Sequence, residues 1–217
     1  MMIICASALL MCEIKAVTKD EKQDDDQIEE PNKVYAWLAI IGFFVAFFIY
    51  SEQRLAYPEY LKQYFSTQAY SVILALNPLF IIFLQRFVIS KFSVKNKVLA
   101  NSLGVFILGC SFLLLYTNSW LPLIVTACFV YSVGEMFIST YSMYVCYNFS
   151  SEKNRALNLS MYRIFGALGG LLGAPLAGEI ISIKNIDYVW LQCFILGLAF
   201  FIVTVTILKK SKHTSIC

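Results

Sequence analysis

Residues Val98–Gly134, VLANSLGVFILGCSFLLLYTNSWLPLIVTACFVYSVG, contain no Asp, Glu, Lys or Arg. A helix crosses the hydrocarbon core of a bilayer with about 20 apolar residues, so this run is too long for one simple span. The segment Thr117-Asn118-Ser119-Trp120-Leu121-Pro122 is a turn signal and divides it. Two helices follow, at about 98–117 and 121–147. Working outward, Val34–Ser51, Gln63–Gln85 and Tyr188–Leu208 are also free of charge, and a glycine-rich apolar segment runs from Leu157 to Ile181. Backbone polar groups in lipid must be paired within their own segment, so helices are the default spanning structure. The sequence predicts six transmembrane helices, at about 34–55, 69–89, 98–117, 121–147, 157–181 and 188–208.

The composition agrees. The chain has 217 residues, 59 % of them hydrophobic and 14 % charged, with a formal net charge of +3. Soluble domains average roughly 45–50 % apolar and 25 % charged residues. A globule of this length cannot hide so much apolar surface, and intrinsic disorder is excluded for most of the chain. Cys110, Cys128, Cys146 and Cys193 sit inside apolar runs and read as small hydrophobes. With no C-x-x-C pair and a single histidine, His213, the ligand sets of zinc and haem sites are missing. No metal or other cofactor is expected.

Loop charges give an orientation. One side carries Lys15, Lys19, Lys22, Lys33, Lys91, Lys95, Lys97, Lys153, Arg155, Lys209, Lys210 and Lys212; the other carries Arg54, Lys62 and Lys184. By the positive-inside rule both termini are cytoplasmic. Trp37, Trp120 and Trp190 each fall at a predicted helix end, as an interfacial belt requires. Residues 1–33 differ from the rest. Met1–Cys12 is apolar but too short to span, and without a basic n-region it is not a signal peptide. Lys15–Lys33 is strongly charged and reads as a solvated linker. Both pieces fit the end of a preceding membrane helix followed by a cytoplasmic loop, with the chain as the back part of something longer. The helical domain then covers 34–210, and 211–217 is a cytoplasmic tail.

The helices read as two triplets of inverted topology, a 3+3 repeat common in secondary transporters. The middle helix of the first triplet is interrupted by Asn77-Pro78, that of the second by Gly173-Ala174-Pro175. Paired Gly/Pro breaks in corresponding helices point to a transport site. The third helix of each triplet carries no charge, which suits a lipid-facing position.

Glu135 is the most informative residue. It lies 14 residues past Leu121 and 12 before Tyr147, near the bilayer centre, where an ionised group costs ~3 kcal/mol or more. Cys128, Tyr131, Ser132, Glu135, Ser139, Ser142 and Cys146 form a polar stripe at helical spacing, which should face a cavity or a neighbouring helix. A carboxyl there can carry a proton; the alternative is a structural carboxyl paired within the bundle.

Arg163, roughly 9 Å from its helix end at 1.5 Å per residue, either snorkels to the interface or points inward at an anionic group. Arg86, three residues from its helix end, is placed to snorkel. Gly166/Gly170 and Gly169/Gly173 are overlapping G-x-x-x-G pairs suited to close helix approach, and Pro175 permits a bend. Tyr50, Gln53 and Tyr57 share a face and could line a pore mouth, while Glu52 and Arg54 read as solvated.

These residues carry a family resemblance. Tyr50-Ser51-Glu52-Gln53, Tyr57-Pro58-Glu59-Tyr60-Leu61, Leu76-Asn77-Pro78-Leu79, Ser132-Val133-Gly134-Glu135-Met136 and the glycine-rich Gly166–Gly178 together resemble the C-terminal six-helix half of a major facilitator superfamily transporter. The drug:proton antiporter type is nearest, and the likeness covers about Val34 to Lys210. The resemblance implies an all-α polytopic membrane protein, half of a twelve-helix fold. The first, second, fourth and fifth helices would line a central cavity, and the third and sixth would face lipid. It implies proton-coupled transport of a small solute or drug by alternating access, as a multi-pass protein of the cell membrane. The partners would be the bilayer, a small-molecule substrate and a second six-helix half, with no nucleic acid. A non-transporting remnant or membrane interaction protein that keeps the half-fold is the other reading. An enzyme is disfavoured, since no G-x-S-x-G, H-E-x-x-H or phosphate-binding glycine loop occurs. The candidate transport and proton-coupling residues are Glu135, Arg163, Gln53, Asn77, Tyr131 and Ser139. The packing and hinge candidates are Gly166, Gly169, Gly170, Gly173, Pro175 and Pro78.

Overall fold

The structure is a computed structural model that describes residues 32–91, 96–117 and 120–214. Residues 1–31, which hold the expected apolar stub and most of the charged linker, lie outside the described residues. The regular elements are α1 (Lys33–Tyr64), α2 (Thr67–Lys91), α3 (Lys97–Thr117), α4 (Leu121–Asn148), a short 3-10 turn Glu152–Asn154, α5 (Arg155–Ile183) and α6 (Ile186–Thr214). Among the described residues, six helices are long and apolar enough to cross a membrane. α6 runs on to Thr214, so residues 211–214 of the expected tail belong to the last helix.

Local chemistry sets the helix starts. The Asn32 side chain accepts from the Val34 N–H at 3.0 Å. Asn96 does the same for Val98 and Leu99, both at 3.1 Å. Each satisfies backbone donors that the first helical turn leaves orphaned. α4 opens with Trp120 as its cap and Pro122 in its first turn, where the missing N–H costs nothing.

The first helix is longer than the sequence predicts, ending at Tyr64 rather than near residue 55. At 1.5 Å per residue it extends about 48 Å, well beyond a hydrocarbon core of ~30 Å. The charged Glu52 and Arg54 suggested a helix end, yet neither breaks helical geometry. Glu52 has 0 % exposure and points into the bundle.

Packing follows the triplet repeat. α1 packs on α5, α4 on α2, α3 on α4, α6 on α1, α3 on α6, and α1 on α4. Exchanging α1 with α4, α2 with α5 and α3 with α6 maps these six most extensive pairs onto one another, in keeping with a two-fold internal repeat, while the smaller α1–α3 and α5–α6 contacts have no counterpart among the described residues. Close backbone approach holds two of the seams. A Cβ at Gly169 or Gly173 of α5 would collide with the carbonyl oxygen of Phe44 or Phe48 on α1. Across the α3–α6 seam, a Cβ on Gly109 would lie 2.9 Å from the Cys193 carbonyl, and one on Gly197 would lie 3.0 Å from the Val105 carbonyl.

Within this bundle 61 % of the α3 membrane-length window is buried, against 11 % for α2 and 22 % for α5. Absence of charge does not separate lipid from protein surroundings, because a bundle interior is as apolar as the tails around it. One expectation is corrected: Trp190 is not a belt residue. It has 0 % exposure, stacks on Phe112 at 5.4 Å and meets Tyr60 edge-on at 5.8 Å. Trp37 and Trp120 are exposed.

Candidate functional site

A cavity of about 310 Å³ opens between α1, α2, α3 and α4. Its wall comes from residues 50–58 of α1, 73–78 of α2, 111–115 of α3 and 127–135 of α4. These segments place it between the middle of the bundle and the end where α1 and α3 finish and α2 and α4 begin. A second cavity, of about 380 Å³, lies between α1, α4 and α5. Tyr50, Arg54 and Glu135 line both.

The helical repeat of α1 builds one wall. Tyr50, Gln53, Arg54 and Tyr57 stand at i, i+3, i+4 and i+7, one face of a helix, and all four line the first cavity. From α4 the same spacing delivers Cys128, Tyr131 and Glu135. α2 contributes Asn77 beside Pro78.

Polar side chains in this wall are tied to one another. Asn77 Nδ2 donates to Glu135 Oε2 at 3.1 Å, and Ser132 Oγ donates to Asn77 Oδ1 at 2.6 Å. One amide thus spans the Glu135 carboxyl and the Ser132 hydroxyl, joining α2 to α4. Tyr131 donates its hydroxyl to Gln53 Oε1 at 3.1 Å, joining α4 to α1. Aromatic rings surround these contacts: Tyr131 meets Tyr50 edge-on at 5.6 Å and Phe112 at 5.7 Å. Tyr57 Oη is buried and, among the described residues, has no hydrogen-bond partner.

Of the six transport candidates, Glu135, Gln53, Asn77 and Tyr131 come together in this one wall. Arg163 and Ser139 do not join them. Both are exposed, and Ser139 donates to the Met136 carbonyl of its own helix at 3.1 Å. The glycines also divide. Gly166, Gly169 and Gly173 press against α1, with the Phe43 ring over Gly166, whereas Gly170 has open space where a Cβ would be and lines the second cavity. Pro175 lies inside α5 and Pro78 inside α2.

Three residues read as solvated or passed over take structural positions here. Arg54 lines both cavities; its place as i+4 of the Tyr50 stripe was the signal for it. Glu52 is buried against α6, with Oε2 accepting from the Cys193 thiol at 3.2 Å and Oε1 unpartnered. Ile49, Glu52 and Ala56, spaced by three and four residues, have 0 % exposure, and that spacing marks Glu52 as part of a buried face. Ser51 reaches α5. The consecutive residues Ser51, Glu52 and Gln53 therefore contact α5, α6 and α4 respectively. Among the described residues no group of three or more His, Cys, Asp or Glu is placed to hold a metal ion.

The family model described as Major Facilitator Superfamily matches residues 36–216. No curated protein and no solved structure matches the chain.

Proposed function

Since the chain belongs to the Major Facilitator Superfamily, we propose that it moves a small solute across a bilayer by alternating access, with Glu135 coupling that movement to a proton. The single observation that carries this reading is the Asn77–Glu135 contact at 3.1 Å in the cavity wall. Glu135 occupies the middle of α4, where a carboxyl is costly in lipid and belongs to a site or a pathway. It is held by a neutral amide, so it can gain or lose a proton without breaking an ion pair. The sequence segments that resemble the drug:proton antiporter type are what suggest the proton as the coupling ion.

The bundle would work as half of a pair. α2 and α5 present large apolar side chains outward, with Ile82 69 %, Phe83 75 % and Leu171 68 % exposed. The cavities that hold Glu135 and Arg54 are open beside them. A second six-helix half, from a separate chain or another copy, would close a polar surface that is ill suited to lipid. With both termini on the cytoplasmic side of the cell membrane, the first cavity lies in the outer half of the bundle.

The test compares Glu135→Gln with the parent protein in reconstituted vesicles, per correctly folded molecule and with or without a pH gradient. Gradient-driven flux is expected to fall strongly. Parental gradient dependence in the variant would remove Glu135 from coupling, and absence of any flux in the parent would favour the non-transporting reading. Labelling sets the orientation. Ser151→Cys, between α4 and α5, should react only from the cytoplasmic face, and labelling from outside alone would reverse the topology.

A further inference from the structure

We propose that the first cavity takes a small zwitterion, an amino-acid-sized solute with an apolar or aromatic side chain. The proposal rests on the transport reading for its purpose, though not for its test. Opposite charges share this cavity and feel each other's field, but they form no direct ion pair. Arg54 supplies a guanidinium, Glu135 a carboxyl, and both line the wall. The Glu135 carboxyl is engaged by the Asn77 amide, and among the described residues no ion pair joins Arg54 to an acid.

The donors cluster on one side. Tyr57 lies one turn beyond Arg54 on the same face of α1, and its buried hydroxyl has no partner. A guanidinium and a free hydroxyl at i and i+3 form a receptor for a carboxylate, with the planar fork of Arg giving paired hydrogen bonds. The acceptor lies toward the middle of the bundle. There the Glu135 carboxylate, with the rings of Tyr50 and Tyr131 nearby, suits an ammonium group through charge and cation–π attraction. Ile73, Leu74, Phe112 and Leu115 give the same cavity an apolar lining. A volume of about 310 Å³ is at the low end of the ~300–1,000 Å³ typical of small-molecule sites, which favours a compact solute over a bulky drug.

Three probes share one apolar body and differ in charge: phenylalanine as zwitterion, phenethylamine as cation and 3-phenylpropionate as anion. Binding of each to the purified full chain in lipid nanodiscs is measured by calorimetry, for the parent, Arg54→Gln, Arg54→Lys and Glu135→Gln. Phenylalanine is expected to bind at least tenfold more tightly than either single-charge probe. Arg54→Gln is expected to weaken phenylalanine and 3-phenylpropionate tenfold or more, a loss in keeping with a hydrogen bond to a charged group, while phenethylamine does not weaken. Arg54→Lys should recover part of the loss, which a misfolded variant would not. Glu135→Gln should weaken phenylalanine and phenethylamine and spare 3-phenylpropionate. Tighter binding of phenethylamine than of phenylalanine, equal loss of all three probes in Arg54→Gln, or no binding of any probe to the parent would overturn the proposal. Because binding is read without flux, a chain that binds phenylalanine in this pattern but moves nothing would refute the transport reading alone.

Discussion

The Ser51 hydroxyl on α1 donates to the Gly170 carbonyl of α5 at 2.5 Å and accepts from the Ala174 N–H at 3.1 Å. Gly170 and Ala174 are four residues apart, the carbonyl and amide that a regular helix pairs directly. A side chain from another helix thus spans one rung of the α5 ladder, next to Pro175, which also lacks an N–H. Ser51→Ala leaves the Gly170 carbonyl and the Ala174 N–H to each other within the helix, so the expected loss in stability is about 1 kcal/mol or less. Ser51→Val places methyl groups against the same carbonyl and should cost more, about 1–3 kcal/mol. Thermal unfolding of the two variants in detergent checks the order; equal losses would mean that the hydroxyl bridge has no special role.

Glu52 invites a second experiment. It is fully buried, and its contact from the Cys193 thiol links α1 to α6. Glu52→Gln keeps the shape and an acceptor for the thiol, and should change stability by less than about 1 kcal/mol. Glu52→Lys puts an ammonium in the same enclosed place with no acid beside it. An uncompensated buried charge costs about 3–5 kcal/mol, enough to stop accumulation of folded protein in the membrane. Quantifying folded protein by size-exclusion fluorescence distinguishes the two, and a well-folded Lys variant would show that the seam between α1 and α6 opens to water.

How far each feature could be read from the sequence depends on what fixes it. The six spans were legible because membrane thickness sets helix length and charge marks the ends. The meeting of Glu135, Asn77, Gln53 and Tyr131 was partly legible, because polar residues at helical spacing within lipid must turn inward. Two things were not legible. The length of α1 was hidden because a helix continues past the hydrocarbon core as readily as it stops there. The burial of Trp190 against Phe112 depends on which helix α6 packs against, and interfacial and core tryptophans look alike at a helix end. Arg54 and Glu52 were misread for the same reason: charge within a predicted helix end has two environments, and only the neighbouring helices decide between them.

The two overlapping glycine pairs of α5 should respond in opposite ways. Gly169 faces the Phe44 carbonyl, so Gly169→Ala forces α1 and α5 apart and should cost about 1–3 kcal/mol. Gly170 has nothing within 4 Å of an added Cβ, and alanine suits a helix better than glycine by up to ~1 kcal/mol. Gly170→Ala should therefore be neutral or stabilising. Melting temperatures of the two single variants give the answer directly, and similar destabilisation in both would place the α1–α5 seam elsewhere.

Asn77 offers the sharpest separation of structure from transport. Its amide donates to Glu135 and accepts from Ser132, so it fixes the carboxyl with a neutral group. Asn77→Ala leaves the Glu135 carboxyl without that donor, while the single Ser132 hydroxyl hydrogen, no longer drawn to Asn77 Oδ1, has the Cys128 carbonyl at 2.8 Å to donate to. The loss of one hydrogen bond to a partly buried carboxyl is worth about 1–3 kcal/mol, small enough for a folded bundle to survive. Asn77→Asp is nearly isosteric but places a second carboxyl within hydrogen-bond distance of the first. Two carboxyls that close cannot both ionise readily, and a proton is shared or retained. If Glu135 carries the coupled proton, gradient-driven flux should fall about tenfold or more in the Asp variant. The Ala variant should retain more flux, since its Glu135 still titrates alone. Flux per folded molecule in vesicles at several pH values measures both. Asp and Ala variants with identical, parental pH profiles would make the Asn77–Glu135 contact a purely structural tie between α2 and α4.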